Sequence, residues 1–274
     1  MIRESNQLIK QKIEENKPFI ISRIGLGPET RAIIRSLNNK IVFKNFENAG
    51  IYFKTKEDAN IYYDMNKKCF ENSDFLAAFQ DVWKREQFFI MKKFNLKQLH
   101  SRVIEPFYLC LENQEPWTLK LYGKKILIVN PFVESFKKQL ENGFKFFKDK
   151  DIFHPEQDFV FYKSYQTSGG NHLHTSWLES FNLMKEDIRK LDFDFALLGC
   201  GGYGLPLCNF IKEDLGKSAI YVGGGLQLLF GVKGKRWESH SLIGKLIRDN
   251  GNFISPSGCE IMKNKNRIEG GCYW

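Results

Sequence analysis

Short apolar runs alternate with longer stretches of helical periodicity along most of this 274-residue chain. The runs that predict buried strands are residues 19–22, 125–129, 159–162, 193–198 and 218–222. Apolar residues recur every three or four positions, as in amphipathic helices, over residues 4–16, 30–37, 132–147, 177–191 and 205–215. Strands that alternate with helices of this length pair in parallel through right-handed crossovers. The predicted fold class is therefore α/β, a Rossmann-like and mostly parallel sheet with helices on both faces.

Two regions depart from this alternation. Residues 40–115 contain a predicted short strand at 41–43 and predicted helices at 55–69 and 81–93, and we interpret them as a mostly helical N-terminal layer that covers the sheet and shapes an acceptor site. Residues 233–274 are basic and irregular, yet they end in Tyr273 and Trp274. Because aromatic side chains are costly to expose, we expect this segment to fold back onto one domain that spans residues 1–274.

The ends of the predicted strands are the expected ligand-binding positions. In an open parallel sheet, ligands bind outside the carboxyl ends of the strands, so the segments that follow the strands should gather along one edge. The uncharged residues predicted to bind a ligand there are Gly25, Gly27, Asn130, Ser164, Gln166, Gly199, Gly201, Gly202, Tyr203, Gly204, Gly223, Gly224 and Gly225.

One of these turns has the glycine spacing of a dinucleotide-binding fingerprint. Gly199, Gly201 and Gly204 fit G-x-G-x-x-G between a predicted strand and a predicted helix. In dinucleotide enzymes an acidic residue about 20 positions later holds the ribose, and here that place is taken by residues 223–225, which are all glycine. This argues against NAD, although the missing side chains would still let phosphate oxygens approach backbone N–H groups at the start of a helix.

Charged candidates flank the glycine turns. Arg23 could hold phosphate, and Glu29 could act as a base or a metal ligand, or the two could form a structural pair. Lys235 and Arg236 could neutralise a departing diphosphate. No metal ligand set is evident. Asp192 and Asp194 lie at the opposite end of their strand from the expected ligand-binding positions, and His172 and His174 have no third ligand nearby.

Bulk properties narrow the classes of function. The net charge of +9 is concentrated in part between residues 124 and 150, where seven lysines stand against three acids. Such a surface is either simply solvated or attractive to anions, including an anionic membrane, and no pattern typical of nucleic-acid binding accompanies it. The six cysteines form no C-x-x-C pair, and neither a signal peptide nor an apolar run of ~20 residues is found, so a reducing, cytoplasmic setting is expected.

Several blocks of the sequence resemble the GT-D fold glycosyltransferases and the related GT-D fold-like domains. They are Ser22-Arg-Ile-Gly-Leu-Gly-Pro-Glu29, Asn48-Ala-Gly-Ile-Tyr52, Glu115-Pro-Trp117, Gly123-Lys-Lys-Ile-Leu-Ile-Val-Asn-Pro-Phe132, Gly199-Cys-Gly-Gly-Tyr-Gly-Leu-Pro206, Gly223-Gly-Gly-Leu-Gln-Leu-Leu-Phe-Gly231, Lys233-Gly-Lys-Arg-Trp237 and Glu269-Gly-Gly-Cys-Tyr-Trp274. The resemblance implies transfer of a sugar from a nucleotide-diphosphate sugar, with a UDP-sugar favoured, to a hydroxyl of a glycan or glycoconjugate.

The first block departs from the motif of these enzymes, in which an Asp and a Glu serve the metal and the donor diphosphate. Leu26 stands at the place of that Asp, and Glu29 lies one position further along. The resemblance therefore leaves dependence on Mn²⁺ or Mg²⁺ open. It leaves two alternatives to a glycosyltransferase: a non-catalytic nucleotide- or sugar-binding domain, and another Rossmann-like transferase such as a methyltransferase.

Overall fold

A single seven-stranded sheet organises the chain in the computed structural model, which describes residues 1–274. The strands in chain order are β1 (Ile20–Ser22), β2 (Phe75–Ala78), β3 (Lys97–His100), β4 (Ile126–Asn130), β5 (Phe159–Lys163), β6 (Phe195–Leu198) and β7 (Ser218–Tyr221). Their order across the sheet is β3-β2-β1-β7-β6-β4-β5, and every pair is parallel. The predicted α/β, Rossmann-like fold class is confirmed.

Helices cover both faces of the sheet. In chain order they are α1 (Ile2–Glu14), α2 (Pro28–Ser36), α3 (Lys56–Glu71), α4 (Lys84–Phe94), α5 (Phe107–Leu111), α6 (Val133–Glu141), α7 (Trp177–Arg189), α8 (Gly204–Glu213), α9 (Leu226–Leu229), α10 (Lys235–Glu238) and α11 (Ser241–Asn250). None of them combines the length and the apolar character that crossing a bilayer requires.

The direction of each crossover decides which face its helix covers. Connections that run toward β3 carry α2, α3, α4, α7 and α8, which share one core with Leu127 and Val129 of β4. Connections that run the other way carry α5 and α6, which share the opposite core with Ile126 and Ile128. Right-handed crossovers of opposite direction must lie on opposite faces, and alternate side chains of a strand point to opposite faces.

Local signals in the sequence mark several helix starts. Pro28 occupies the first turn of α2, where a missing N–H costs nothing. Thr55 and Asp58 form a capping box at the start of α3, with the Asp58 N–H donating to Thr55 Oγ1 at 3.1 Å. Ser176 Oγ accepts from the Glu179 N–H at the start of α7.

Residues 40–115 differ from the predicted helical cover, since they also supply β2 and β3 to the sheet itself. These strands were missed because β2 contains two alanines, which favour helices, and because β3, the outermost strand of the sheet, exposes Lys97 and Gln98. The predicted strand at 41–43 is irregular. The predicted helix at 81–93 begins only at Lys84, because Trp83 has a left-handed backbone with φ of 53°.

The predicted helix at 132–147 also ends early, at Glu141. Gly143 then turns the chain with φ of 68°, a conformation that glycine adopts without strain. The phenylalanines beyond it pack elsewhere: Phe144 lies edge-on to Phe253 with ring centroids 5.1 Å apart, and Phe146 stacks on Phe107 at 5.0 Å.

Residues 233–274 contain α10 and α11 and pack on the same face as α6. Trp274 is only 7% exposed and lies edge-on to Phe132 with ring centroids 5.6 Å apart. Its Nε1 donates to the carbonyl oxygen of Glu260 at 2.8 Å. This segment thereby reaches the carboxyl ends of the central strands and helps to form the surface described next.

Candidate functional site

A pocket lies just beyond the carboxyl ends of β4, β5 and β6. The chain leaves β4 toward β5 and leaves the adjacent β6 toward β7, in opposite directions, and such a switch point opens the crevice where α/β sheets bind ligands. The cavity measures about 110 Å³. Its lining comprises Asn48, Ala49, Gly50, Asn130, Pro131, Phe132, Ser164, Tyr165, Gln166, Thr167, Ser168, Gly199, Cys200, Gly201, Tyr203, Tyr221, Gly224, Gln227, Tyr273 and Trp274.

The pocket gathers about half of the uncharged residues predicted to bind a ligand. Those in its lining are Asn130, Ser164, Gln166, Gly199, Gly201, Tyr203 and Gly224. Those outside it are Gly25, Gly27, Gly202, Gly204, Gly223 and Gly225, together with all four charged candidates, Arg23, Glu29, Lys235 and Arg236. The sequence did not single out the loop at residues 48–50 or Tyr221, Gln227, Tyr273 and Trp274 as pocket residues.

Two polar atoms in the pocket lining are buried without a hydrogen-bond partner, namely Ser164 Oγ and Gln166 Nε2. Such atoms are rare, because leaving a buried donor or acceptor unpaired costs about 1–3 kcal/mol. Five side chains of the protein carry atoms of this kind, and only these two line the pocket. An unpaired donor and an unpaired hydroxyl beside one cavity indicate a place for a polar ligand.

Other polar groups of the pocket are already paired. Asn130 accepts from the Phe132 N–H at 2.9 Å and donates to the Gly199 carbonyl at 2.8 Å. The hydroxyls of Thr167 and Tyr203 lie 2.9 Å apart, and Thr167 donates to the Gly50 carbonyl. These bonds tie the loops after β4, β5 and β6 to one another and fix the shape of the cavity.

No side chain of the lining carries a formal charge. The one thiol in the lining, Cys200, is 6% exposed, and its burial raises the pKa well above the ordinary value, which keeps the thiol protonated. The pocket therefore offers hydroxyls, amides, backbone groups and aromatic rings rather than ions or a nucleophile.

The glycines around the strand ends are required by the packing of the protein itself. A Cβ on Gly204 would overlap the ring of Tyr221, one on Gly202 would overlap Ile51, and one on Gly225 would overlap the carboxylate of Glu105. A Cβ on Gly199 would lie 2.6 Å from the carbonyl oxygen of Gly223. These glycines were predicted because a phosphate could approach them closely. The packing of the protein itself explains them without a phosphate.

Arg23 is held in place by other parts of the chain. Its Nη1 donates to the Val222 carbonyl at 2.5 Å and lies 3.8 Å from Glu105 Oε1, while its guanidinium stacks 4.7 Å from the centre of the Phe79 ring. Arg23 thus bridges the ends of β1, β2 and β7. Its expected structural partner was Glu29, whereas the observed partner is Glu105.

Glu29 lies in the first turn of α2, and its carboxylate folds back over Gly25 and Gly27. Burial raises the pKa of Glu29, a backbone hydrogen bond opposes that shift, and repulsion from Glu269 adds to it. A carboxylate of raised pKa at the carboxyl ends of the strands is a candidate general base, since its pKa lies closer to neutral pH than that of a free Glu.

Glu105 is an acidic residue at the strand ends that is not among the candidates predicted from the sequence. It follows the short turn at Ser101–Ile104 after β3 and faces Arg23 and Gly225. Burial raises the pKa of Glu105 more than the attraction of Arg23 and Arg102 lowers it. In the sequence, Glu105 is one acid within the predicted helical layer, and nothing marks it as a residue that follows a strand. Its position at the carboxyl ends of the strands follows from the place of β3 in the sheet.

Two helix N-termini at this edge are already occupied. At the start of α6, the buried carboxylate of Glu260 accepts from the N–H groups of Glu134 and Ser135, at 2.9 and 3.1 Å, and from the Ser135 hydroxyl. At the start of α8, the Tyr221 ring lies against Gly204. The positions that commonly bind phosphate in such folds are therefore filled by the protein's own side chains.

Lys235 and Arg236 lie at the start of α10, beside the last residues of the sequence. Arg236 Nη2 pairs with Glu269, Arg236 Nη1 donates to the Tyr273 hydroxyl at 3.1 Å, and its guanidinium lies 4.6 Å from the centre of that ring. Lys235 Nζ donates to the Gly270 carbonyl at 3.3 Å. Arg23 lies against Gly223, and Tyr273 lies against the adjacent Gly224. This cluster therefore adjoins the Arg23–Glu29 turn, and Tyr273 belongs both to the cluster and to the pocket lining.

The remaining sequence candidates for a metal do not form a site. Asp192 pairs with Lys125, and Asp194 Oδ2 accepts from the Lys125 N–H at 2.8 Å. Both acids lie at the amino end of β6, opposite the carboxyl ends of the strands where the pocket lies. His172 stacks on Tyr52 with ring centroids 4.0 Å apart, and His174 Nδ1 lies 2.9 Å from Ser180 Oγ. No group of three or more His, Cys, Asp or Glu side chains is arranged to hold a metal ion.

The chain has no significant match among protein-family models, curated proteins or solved structures.

Proposed function

We propose that the protein is a glycosyltransferase that moves a sugar from a nucleotide-diphosphate sugar, a UDP-sugar in the first instance, to a hydroxyl of a glycan or glycoconjugate. The observation that carries the proposal is the uncharged polar pocket at the switch point of a parallel sheet, with two buried polar atoms that lack a partner. The resemblance of the Arg23–Glu29 turn and of the other blocks to GT-D glycosyltransferases supports it.

In this proposal the acceptor hydroxyl attacks the anomeric carbon of the sugar, the bond from that carbon to the diphosphate oxygen breaks, and the nucleoside diphosphate leaves. Glu29 takes the proton of the acceptor hydroxyl, a role that suits the raised pKa of its carboxyl group. Arg236, which contacts Tyr273 of the pocket lining, and its neighbour Lys235 neutralise the charge that develops on the departing diphosphate.

Residues for a divalent metal at the diphosphate are sparse. Leu26 replaces the acidic residue of the family motif. The carboxylates around this turn are Glu29, Glu105, which pairs with Arg23, and Glu269, which pairs with Arg236. Mn²⁺ or Mg²⁺ usually takes several oxygen ligands and retains waters. If a metal binds here, the donor diphosphate must supply ligands to it.

Binding and transfer can be tested separately. Titration calorimetry with UDP-, GDP- and CMP-sugars, with and without Mn²⁺, should show binding of one class. With a glycan acceptor present, the sugar of that donor should then be transferred to the acceptor and the free nucleotide released. Glu29→Gln should abolish transfer and keep donor binding, whereas Glu213→Gln, an exposed acid at the opposite end of α8, should change neither. Failure of all three classes to bind would refute the proposal.

A non-catalytic binding domain is the second candidate, favoured by Leu26 in place of the motif acid and by the absence of charge in the pocket. It predicts donor or sugar binding without turnover by any acceptor. A methyltransferase instead predicts binding of S-adenosylmethionine and none of nucleotide sugars, so the same titrations with that cofactor separate the three candidates.

A further inference from the structure

We infer that the pocket at the ends of β4, β5 and β6 binds one uncharged ring of the ligand, a nucleobase or a sugar, through Ser164 and Gln166, and that any phosphates lie outside it. This inference rests on the site of the proposed function and specifies which part of the donor the site accepts. The ring must carry an oxygen acceptor for Gln166 and a polar group for Ser164.

The lining excludes a phosphate from the pocket. A charged group that leaves water needs an opposite charge or several hydrogen-bond donors to compensate for lost hydration. The lining contains no Lys, Arg or His, and the nearby cations are committed: Arg23 to Val222 and Glu105, and Arg236 to Glu269 and Tyr273. Only neutral groups can enter at low cost.

The two unpartnered atoms specify what the neutral group must offer. Gln166 Nε2 is a donor only, so it requires an acceptor such as a carbonyl or hydroxyl oxygen. Ser164 Oγ can both donate and accept, and Ser164 is 3% exposed. The edge of a pyrimidine base and a pair of neighbouring sugar hydroxyls both satisfy this requirement.

Size and lining point to a single ring. A cavity of about 150 Å³ holds a benzene molecule, and this one measures about 110 Å³ and opens to solvent. Aromatic rings line it from several directions, contributed by Phe132, Tyr165, Tyr203, Tyr221, Tyr273 and Trp274. Such rings stack on nucleobases and on the apolar faces of sugars.

Ligand-detected NMR with neutral probes tests the inference directly. The probes are uridine, glucose, galactose and N-acetylglucosamine, with UDP as the charged comparison. At least one neutral probe should bind, and Ser164→Ala and Gln166→Met should each weaken it roughly tenfold, because each leaves a ligand group unpaired. Ser36→Ala and Gln11→Met, changes outside the pocket, should leave binding unchanged.

Thermal unfolding distinguishes a ligand-binding role of Ser164 from a structural role, because the two roles predict different changes in the melting temperature of the Ser164→Ala variant. Because Ser164 Oγ has no partner in the folded protein, Ser164→Ala should leave the melting temperature unchanged or raise it. If that variant melts lower while probe binding is retained, Ser164 supports the fold and the inference is wrong.

The probe that binds shows which ring of the donor the pocket accepts. Binding of uridine identifies a base subsite, and binding of a free sugar identifies a sugar subsite. Absence of binding by every neutral probe overturns the inference. If a nucleotide sugar binds and is turned over while both pocket variants keep the parent affinity, the inference fails and the proposed function stands. If a neutral probe binds through both residues but no nucleotide sugar does, the proposed function fails and the inference stands.

Discussion

Replacement of Glu260 should loosen the connection between the C-terminal segment and the sheet. This carboxylate is 1% exposed and serves three donors at the start of α6: the N–H groups of Glu134 and Ser135 and the Ser135 hydroxyl. The backbone carbonyl of Glu260 accepts from Trp274 Nε1 at 2.8 Å. Trp274 and the preceding Tyr273 line the pocket. Glu260→Ala removes the side-chain acceptor and leaves all three donors without it.

The size of the effect follows from those donors. A buried donor without an acceptor costs about 1–3 kcal/mol, and water can reach part of the space that a shorter side chain vacates. Taking the lower value for each donor, Glu260→Ala should lower the free energy of unfolding by roughly 3 kcal/mol. For a protein of about this size, that corresponds to a fall in melting temperature of about 6–12 °C.

Glu260→Gln is the matched control. Its side-chain oxygen still accepts from the two N–H groups and its amide can donate to Ser135 Oγ, so only the interaction of the charge with the helix start is lost, about 1 kcal/mol. Thermal unfolding followed by circular dichroism measures the melting temperatures of both variants, and urea unfolding measures their free energies of unfolding. A Glu260→Ala protein within 2 °C of the parent, or one no less stable than Glu260→Gln, would refute this assignment.

Three further outcomes are expected. Burial raises the pKa of Glu29, so the folded protein holds that proton more tightly than the unfolded chain, and stability is lost as the pH rises from the ordinary Glu value through the raised one. Glu29→Gln should therefore melt higher than the parent at pH 8 and equally at pH 4, and an equal melting temperature at pH 8 would contradict the burial of this charge. Gly204→Ala places a methyl group into the Tyr221 ring and should cost about 1–3 kcal/mol in urea unfolding; an unchanged midpoint would show that the ring moves freely. Cys259 is the one exposed cysteine among six, so a thiol reagent should modify the native protein first at this residue, and Cys259→Ser should remove the fast phase.

The sequence by itself determined the fold class and the end of the sheet at which the segments that follow the predicted strands gather. Apolar runs such as residues 126–129 can be buried only between two helical layers, which requires a parallel sheet with helices on both faces. Proline and capping signals placed the starts of α2, α3 and α7. Because parallel strands share one direction, the ends of the five recognised strands had to meet at the same edge.

The short strands and the partners of the charged residues came only from the tertiary structure. β2 contains two alanines and β3 exposes Lys97 and Gln98, so neither has the buried apolar run of the recognised strands. They become strands because β2 pairs with β1 and β3 pairs with β2. The same long-range packing pairs Arg23 with Glu105 and places Glu260 at the start of α6, although 82 and 126 positions separate these groups in the chain, by subtraction of their residue numbers. A sequence states which residues are charged, but the partner of each charge, and hence whether it remains free for a ligand, is decided by contacts between distant segments.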